Sequence, residues 1–305
     1  MPRFIQFTEF GGPEVLNVIL VDKPQAGPGE VVVRVKAAGL NPVDFKIFRG
    51  PAAAIYGATL PSGAGNDFAG IVEQVGDGVT SWAVGDEVIG GARNHALADF
   101  IVLPADGILI PKPADLSFEV GAAITVVGRT AWASVESLHL TDADTVLVSA
   151  AAGGVGVLAA QLAARTGATV VGTASASNHE FLRSLGLVPV AYGDGLVERL
   201  REAAPQGYTA VLDNHGPATI EAGLELGVPI GRINTIATHG PADRGATHIG
   251  GAQASNEDLS HVAELLATGE LQLPISDIFP LERAAEAYAK LEGGHVRGKI
   301  VLVTD

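Results

Sequence analysis

The chain has 305 residues, 47% of them hydrophobic and only 17% charged, which is enough apolar material for two sizeable cores and far from the composition of a disordered tail. With 34 acidic against 19 basic residues the net charge is -15, which repels a phosphate backbone and an anionic lipid face, so neither nucleic acid nor a membrane is an expected partner. Cysteine is absent, which excludes disulfides, thiolate nucleophiles and cysteine-containing zinc sites and removes any need for an oxidising compartment.

The start, "MPRFIQFTEFGGPEVL", lacks the basic then apolar profile of a signal peptide, and no apolar run is long enough to span a bilayer. A cytoplasmic protein is the expectation. Up to about Pro113 the chain alternates short β-rich runs such as "EVVVRVKAAGL", "FAGIVEQVG" and "DEVIGG" with Gly, Pro and Asp turns, the pattern of a barrel or sandwich. From Leu116 to Thr268 strands alternate with helices: "DTVLVSA", "VGVLAAQLAARTG", "ATVVGTA", "HEFLRSLG", "VPVAY", "GLVERLREAA", "TAVLDN", "PATIEAGLELG", "GRINTIA". That alternation predicts a parallel sheet covered on both faces. The final pieces, "LPISDIFP", "LERAAEAYAKLEGG" and "GKIVLVT", are too small to bury a core alone and are expected to return to the first domain. The predicted domains are therefore 1–115 with 275–305, and 116–274.

Within the second domain, Ala151, Gly153 and Gly156 stand at the spacing of the G-x-G-x-x-G dinucleotide fingerprint, with alanine in the first place. A strand precedes them, a helix from Val155 follows, and a second strand covers Thr169 to Ala174, which is the context the fingerprint needs. Gly153 offers no Cβ to hold a pyrophosphate away, Gly156 lets helix and strand approach, and the helix start at Gly154 and Val155 supplies amides and partial positive charge. The alternative is an ordinary tight strand-to-helix turn. At the end of the second strand, where NAD-binding folds place an acid for the ribose hydroxyls, stands Ala174 followed by "SASN". A 2′-phosphate is not repelled there, and Ser175, Ser177 and Asn178 are available donors, so NADPH is favoured; with no Arg or Lys in the loop, NADH stays open.

These pieces together resemble the medium-chain dehydrogenase/reductase superfamily, and within it the zinc-free quinone oxidoreductases of the zeta-crystallin type. The resemblance covers nearly the whole chain, in "GPEVL", "AAGLNPVDFKIFRG", "GNDFAGIVEQVGDGVTSWAVGDEV", "LADFIVLPAD", "GAAITVVGRTAWASV", "VLVSAAAGGVGVLAAQLA", "NHEFLRSLG" and "FPLERAAEAYAKLEGGHVRGKIVL". It implies an α/β architecture: a GroES-like β-rich substrate domain, discontinuous in sequence, a Rossmann doubly wound parallel sheet domain inserted in it, and a cleft that holds the nicotinamide. The places where zinc alcohol dehydrogenases of the superfamily carry their Cys, His-Glu pair and second Cys are taken by Asn41, by Asn66 with Asp67, and by Val126. This is no competent zinc set.

Without a Lewis acid, alcohol oxidation is hard, whereas a quinone or an α,β-unsaturated carbonyl takes hydride at carbon and delocalises charge to an oxygen that needs only hydrogen-bond donors. By resemblance, Asn41 and Thr130 orient the nicotinamide or its ribose, and Tyr56 lies in a loop where relatives carry a tyrosine that donates to the acceptor oxygen. Arg49 and Asp44 are expected to pair structurally at the base of that loop. The resemblance also assigns Tyr192 to the 2′-phosphate side, Ile236 and Ala237 to the nicotinamide ribose, and Lys299 to closing the site. Asp213 and Asn214, at a strand end on the ligand-binding edge, rank below these.

Two departures from the family pattern bear on function. Ser177 replaces an Arg common in relatives, and "GATHIGGAQASNEDLS" replaces an apolar strand through which the family's dimers commonly pair; a homodimer is still expected. Three functional readings stand: an NADPH-dependent quinone reductase, an enoyl or enone reductase of the same chemistry, and a non-enzymatic NADPH-binding redox sensor.

Overall fold

The structure, a computed structural model, describes residues 1–304 and divides into two units. The first comprises Met1–Val126, Leu259–Thr268 and the chain from Pro274 on; the second comprises Val127–Asp258 and Gly269–Leu273.

The first unit opens with strands β1 (Arg3–Phe7), β2 (Asn17–Leu20) and β3 (Glu30–Gly39), helix α1 (Pro42–Phe48), and strands β4 (Ser62–Gly63), β5 (Asp67–Val75), β6 (Glu87–Gly91), β7 (Phe100–Pro104) and β8 (Leu109–Pro111), then the short helix α2 (Phe118–Ala122). Its centre is β3, whose valines are β-branched residues suited to a strand with neighbours on both sides. Along one side β3 pairs antiparallel with β5; along the other it pairs with β7 over Glu30–Arg34 and, further on, over Ala37–Gly39, with a strand from the end of the chain. Val31, Val32 and Val33 are consequently fully buried, so "EVVVRVKAAGL" is apolar almost without alternation.

Helix α3 (Thr125–Glu136) carries the chain into the second unit. There follow β9 (Thr145–Val148), α4 (Gly154–Arg165), β10 (Thr169–Ala174), α5 (His179–Ser184), β11 (Val188–Ala191), α6 (Leu196–Ala203), β12 (Ala210–Asp213), α7 (Pro217–Glu225), β13 (Ile233–Thr235) and β14 (Thr247–His248), and then α8 (Asn256–Ala267), of which the residues from Leu259 on belong to the first unit. The strands form one sheet in the order β11-β10-β9-β12-β13-β14, parallel throughout. The order reverses between β9 and β12, and in such sheets ligands bind beyond the carboxyl ends of the strands at that reversal. Helix α4 is buried from Gly156 to Ala163 because its face is built of alanines and one leucine pair, which let it lie close to the sheet. The segment "GATHIGGAQASNEDLS" contributes only the two-residue β14 before α8 begins.

After Gly269–Leu273, which belong to the second unit, the first unit continues with β15 (Ile275–Pro280), α9 (Ala284–Glu292) and β16 (Lys299–Val303). β16 is the strand that pairs with the end of β3, and β15 lies parallel to β16 at the sheet edge. Tyr288 of α9 packs edge-on against Phe48 of α1, ring centroids 5.2 Å apart, and both are fully buried. Thus the last thirty residues complete a core that the first third of the chain begins. Among the described residues no helix is long and apolar enough to cross a membrane.

Candidate active site

The candidate residues form two sets, one in each unit. In the second, the turn between β9 and α4 is tight because Ala150 adopts a left-handed conformation (φ 49°) and Gly153 N donates to Ala150 O at 2.8 Å. A Cβ on Gly156 would lie 2.1 Å from that same carbonyl oxygen and 2.7 Å from its carbon, so no other residue is accommodated without opening the turn. Ala151 occupies the first fingerprint place for a related reason. It is fully buried, and a Cβ built on Gly172 of β10 would come within 2.6 Å of the Ala151 methyl. The turn and the second strand are matched in size, a pairing in which Gly172 carried no sequence signal. Gly153 caps α4 without a side chain, and Val157 N makes the first helical bond to Gly153 O at 2.9 Å. The amides of Gly154, Val155 and Gly156 therefore have no intrahelical acceptor.

The end of β10 is polar and internally bonded. Ser175 and Ser177 hydroxyls are 3.0 Å apart and Asn178 Nδ2 donates to Ser175 Oγ at 3.1 Å. Ala174 is in register with Ala191 of β11, so Ser175 and Tyr192 leave the sheet at the same depth. Tyr192 is exposed, and the loop it begins is held by Arg199 of α6, whose guanidinium donates to the carbonyls of Ala191, Tyr192, Gly193 and Asp194.

Asp213 proves to be an internal hub. Its Oδ1 accepts from Ser149 Oγ (3.2 Å), His215 N (3.1 Å) and Gly216 N (2.9 Å), and its Oδ2 from Thr235 Oγ1 (2.7 Å) and Thr238 Oγ1 (2.9 Å). Thr235 Oγ1 in turn accepts from the amides of Ala237 and Thr238, and Ile236 N donates to Asp213 O at 3.0 Å. One fully buried carboxylate thus ties the loops after β9, β12 and β13, and sets the backbone of Ile236 and Ala237. Its oxygens are spent inside the fold, which the position at a strand end alone did not reveal. Asn214 binds Ser149 through its N and Nδ2, and its Oδ1 is buried without a partner among the described residues. Thr130, nearly buried on α3, belongs to this unit as well.

In the first unit Asn41, Asp44, Asn66, Asp67, Tyr288 and Lys299 form one buried polar cluster. Lys299 Nζ donates to Leu40 O and, at 2.6 Å, to Asn41 Oδ1; Asn41 Nδ2 donates to Asp67 Oδ2 at 2.9 Å. Asp67 also accepts from Val126 N at 3.1 and 3.2 Å. Asp44 accepts from Asn41 N and the Tyr288 hydroxyl, each at 2.8 Å, and from Asn66 Nδ2. The expected pair of Arg49 with Asp44 is therefore corrected: Arg49 leaves the end of α1 toward solvent and binds Glu292 of α9 through two contacts of 2.5 and 2.9 Å, while Asp44 turns inward. Helix geometry separates them, since five residues along α1 place them on different faces. Tyr56 packs against the same core, with the Arg93 guanidinium 5.2 Å from its ring centroid. Among the described residues nothing hydrogen-bonds to its hydroxyl, while its carbonyl accepts from Asn94 Nδ2 at 3.2 Å.

Burial dominates the electrostatics of the cluster. It pushes the Asp67 carboxyl from 3.8 up to about 7, against the opposing pull of the Lys299 charge and the Asn41 amide. Burial also raises Asp44, with Asn41, Tyr288 and Asn66 opposing, and lowers Lys299, with Asp67 and Asp44 opposing. A carboxyl raised on folding binds its proton more tightly in the folded chain, so the stability it adds is full below its unfolded value and is lost as pH rises through the folded one. The expected result is that the unfolding temperature of Asp67→Asn rises relative to wild type as pH goes from about 4 to about 7, the interval between the ordinary and shifted carboxyl. Thermal unfolding of both proteins across that range tests it; a constant difference refutes the assignment.

With both sets of geometry in view, the chain can be compared with known proteins. The description "Alcohol dehydrogenase GroES-like domain" matches residues 27–114, and "Zinc-binding dehydrogenase" matches residues 185–302. A quinone oxidoreductase of Pseudomonas aeruginosa is 30% identical over 99% of this chain and 100% of its own length. The solved structure of the quinone oxidoreductase from Coxiella burnetii superposes with a TM-score of 0.89 at 32% identity, covering 100% of this chain and 99% of that one. The chain belongs to the quinone oxidoreductases of the medium-chain dehydrogenase/reductase superfamily. It is an oxidoreductase of the GroES-like plus Rossmann architecture, and a nicotinamide cofactor goes with that membership. Another similar structure, described as an NAD-dependent alcohol dehydrogenase, has a TM-score of 0.88 at 32% identity and covers 99% of this chain and 100% of that one.

Zinc does not suit the residues this chain presents. The superfamily's zinc positions bring together Asn41, Asn66, Asp67 and the backbone of Val126, a set with two amides and a single carboxylate. Asn41 and Asp67 are bonded to each other, and an ammonium already stands on Asn41. Among the described residues no group of three or more His, Cys, Asp or Glu is arranged to hold a metal. Soft or imidazole donors, which zinc prefers, are missing from the cluster.

Proposed function

We propose that this oxidoreductase transfers hydride from NADPH to quinones without zinc. The observation that carries the reading is the strand-turn-helix at Ala150–Gly156 followed by a second strand that ends in Ala174, Ser175, Ser177 and Asn178 with no acid. The pyrophosphate lies on the amides of Gly154, Val155 and Gly156 beside Gly153 and Ala151, where backbone donors and the helix dipole stabilise negative charge. Ser175, Ser177 and Asn178 face the 2′-phosphate with Tyr192 beside them. Ile236 and Ala237 line the ribose, and Asn41 and Thr130 orient the nicotinamide. Tyr56 donates to the acceptor oxygen as negative charge develops there, a step water completes by protonating the hydroquinone anion. A homodimer in the cytoplasm belongs to the same reading, and sedimentation of the purified protein tests the dimer.

A second reading, NADH as the reductant, is favoured by the Arg199 guanidinium being engaged by four carbonyls, which commits that cation to holding the loop. The deciding experiment follows NADPH and NADH absorbance with an ortho-quinone, a para-quinone and a simple enone. Faster quinone reduction with NADPH supports the proposal. Turnover confined to the enone replaces it with the enone reductase, and tight NADPH binding without turnover replaces it with the redox sensor.

Two substitutions sharpen the test. Ser175→Asp is expected to raise KM for NADPH about tenfold by placing a carboxylate against the 2′-phosphate, with little change for NADH; equal effects on both reductants refute that placement. Tyr56→Phe is expected to lower kcat with quinone about tenfold, the size of one ordinary hydrogen bond of about 1.4 kcal/mol, and an unchanged kcat removes Tyr56 from the mechanism.

A further inference from the structure

The buried cluster of the first unit is costly: an ammonium and two carboxylates lie out of water, and well-packed apolar residues in their place generally give an equally or more stable protein. Its geometry centres on one neutral group. The Asn41 side chain, 1% exposed, is held at Oδ1 by Lys299 Nζ at 2.6 Å and at Nδ2 by Asp67 Oδ2 at 2.9 Å. With Asp67 ionised, turning the amide over would set its NH2 against the ammonium and its oxygen against the carboxylate, two repulsive contacts in a water-poor site. Only one orientation is tolerated. The Asn41 backbone is held as firmly, since its N–H donates to Asp44 Oδ2 at 2.8 Å and Asp44 is itself held by Tyr288 and Asn66.

We propose that Lys299 and Asp67 are positioning residues that lock the Asn41 amide in a single orientation, and that Lys299 thereby supplies, from the protein itself, the local positive charge that zinc supplies in metal-dependent members of the superfamily. The proposal rests on the reading of Asn41 as a residue that orients the nicotinamide. Lys299 is buried and directs two of its three Nζ hydrogens to Leu40 O and Asn41 Oδ1, so the contact through which it acts on the cofactor is Asn41. Asp67 completes the lock from β5 and, through Val126 N, also fixes the start of α3.

The test compares wild type with Lys299→Met, Asp67→Asn and the double variant. Lys299→Met leaves two buried carboxylates without their cation and is expected to lose stability. The double variant removes one charge of each sign and retains an acceptor at position 67, so it is expected to regain most of the lost unfolding temperature. Activity separates positioning from charge balance: kcat with NADPH and quinone is expected to stay about 30-fold to 100-fold below wild type in both Lys299→Met and the double variant, the effect of a misplaced reacting group, with KM for the quinone within about twofold. Recovery of kcat together with stability in the double variant overturns the proposal, as does wild-type kcat in Lys299→Met.

A second readout needs no turnover. In asparagine-labelled protein the two Nδ2 hydrogens of Asn41, assigned with Asn41→Asp, are expected to be well separated and slow to exchange in wild type, and to exchange faster in Lys299→Met and in the double variant. Unchanged Asn41 resonances in those variants overturn the lock even if no acceptor is reduced. Absence of wild-type turnover with altered resonances instead removes the proposed function and leaves the lock standing.

Discussion

Gly156→Ala is expected to weaken NADPH binding by about 100-fold, equivalent to about 2.7 kcal/mol, and to lower the unfolding temperature at the same time. The added methyl would stand 2.1 Å from Ala150 O and 3.0 Å from Ala151 Cα, both backbone atoms that no rotamer change can move. The turn must open, and opening it displaces the amides of Gly154 and Val155 that the proposed function assigns to the pyrophosphate. Gly153→Ala is the informative companion. Its methyl would lie 3.2 Å from Ala150 O, a contact that a few tenths of an ångström relieves, so the fold is expected to survive while the methyl occupies the space a pyrophosphate needs. Fluorescence titration with NADPH and thermal unfolding of both variants check this. Wild-type affinity in Gly156→Ala would mean that the dinucleotide lies elsewhere.

Asp213→Ala has the largest expected effect on stability. Five donors would lose their acceptor at once, two of them backbone amides that cannot turn away, and a cost of about 3 kcal/mol or more is expected because each buried unsatisfied donor costs about 1–3 kcal/mol. Asp213→Asn should cost much less. Its carbonyl oxygen can keep His215 N and Gly216 N, and the Thr238 hydroxyl can rotate to accept from the new NH2 group, whereas Thr235 Oγ1, which already accepts from two backbone amides, loses its acceptor. Urea unfolding of the two variants measures the difference, and equal midpoints would show that the hub does not hold the three loops together. Because Ile236 and Ala237 take their backbone position from Asp213 and Thr235, Asp213→Asn is also a probe of the loop that lines the proposed ribose site.

How much of this was legible beforehand depended on the range of the interaction. The glycine turn could be read because its requirements are local: an extended strand, two glycines at fixed spacing and an alanine-rich helix within about twenty residues all follow from backbone geometry. The weak strand near Gly250 was foreseeable for the same reason, and β14 is two residues long. By contrast, the expected Arg49 and Asp44 pair at the base of the Tyr56 loop was overruled by helix periodicity together with the arrival of α9.

The sequence by itself determined the α/β class, the family, the strand-turn-helix at Ala150–Gly156 and the loss of the residues a zinc site needs. All of these are patterns of residue type at short spacing or over the whole length. Only the tertiary structure decided that Asp213 is consumed by five internal donors and that Gly172 makes room for Ala151. It alone brought Lys299, 258 residues away along the chain, to hold the side chain of Asn41. The physical reason is that a buried charge takes whichever partner the sheet brings within about 3 Å, and the pairing of β16 with β3 that carries Lys299 there is a contact between the two ends of the chain.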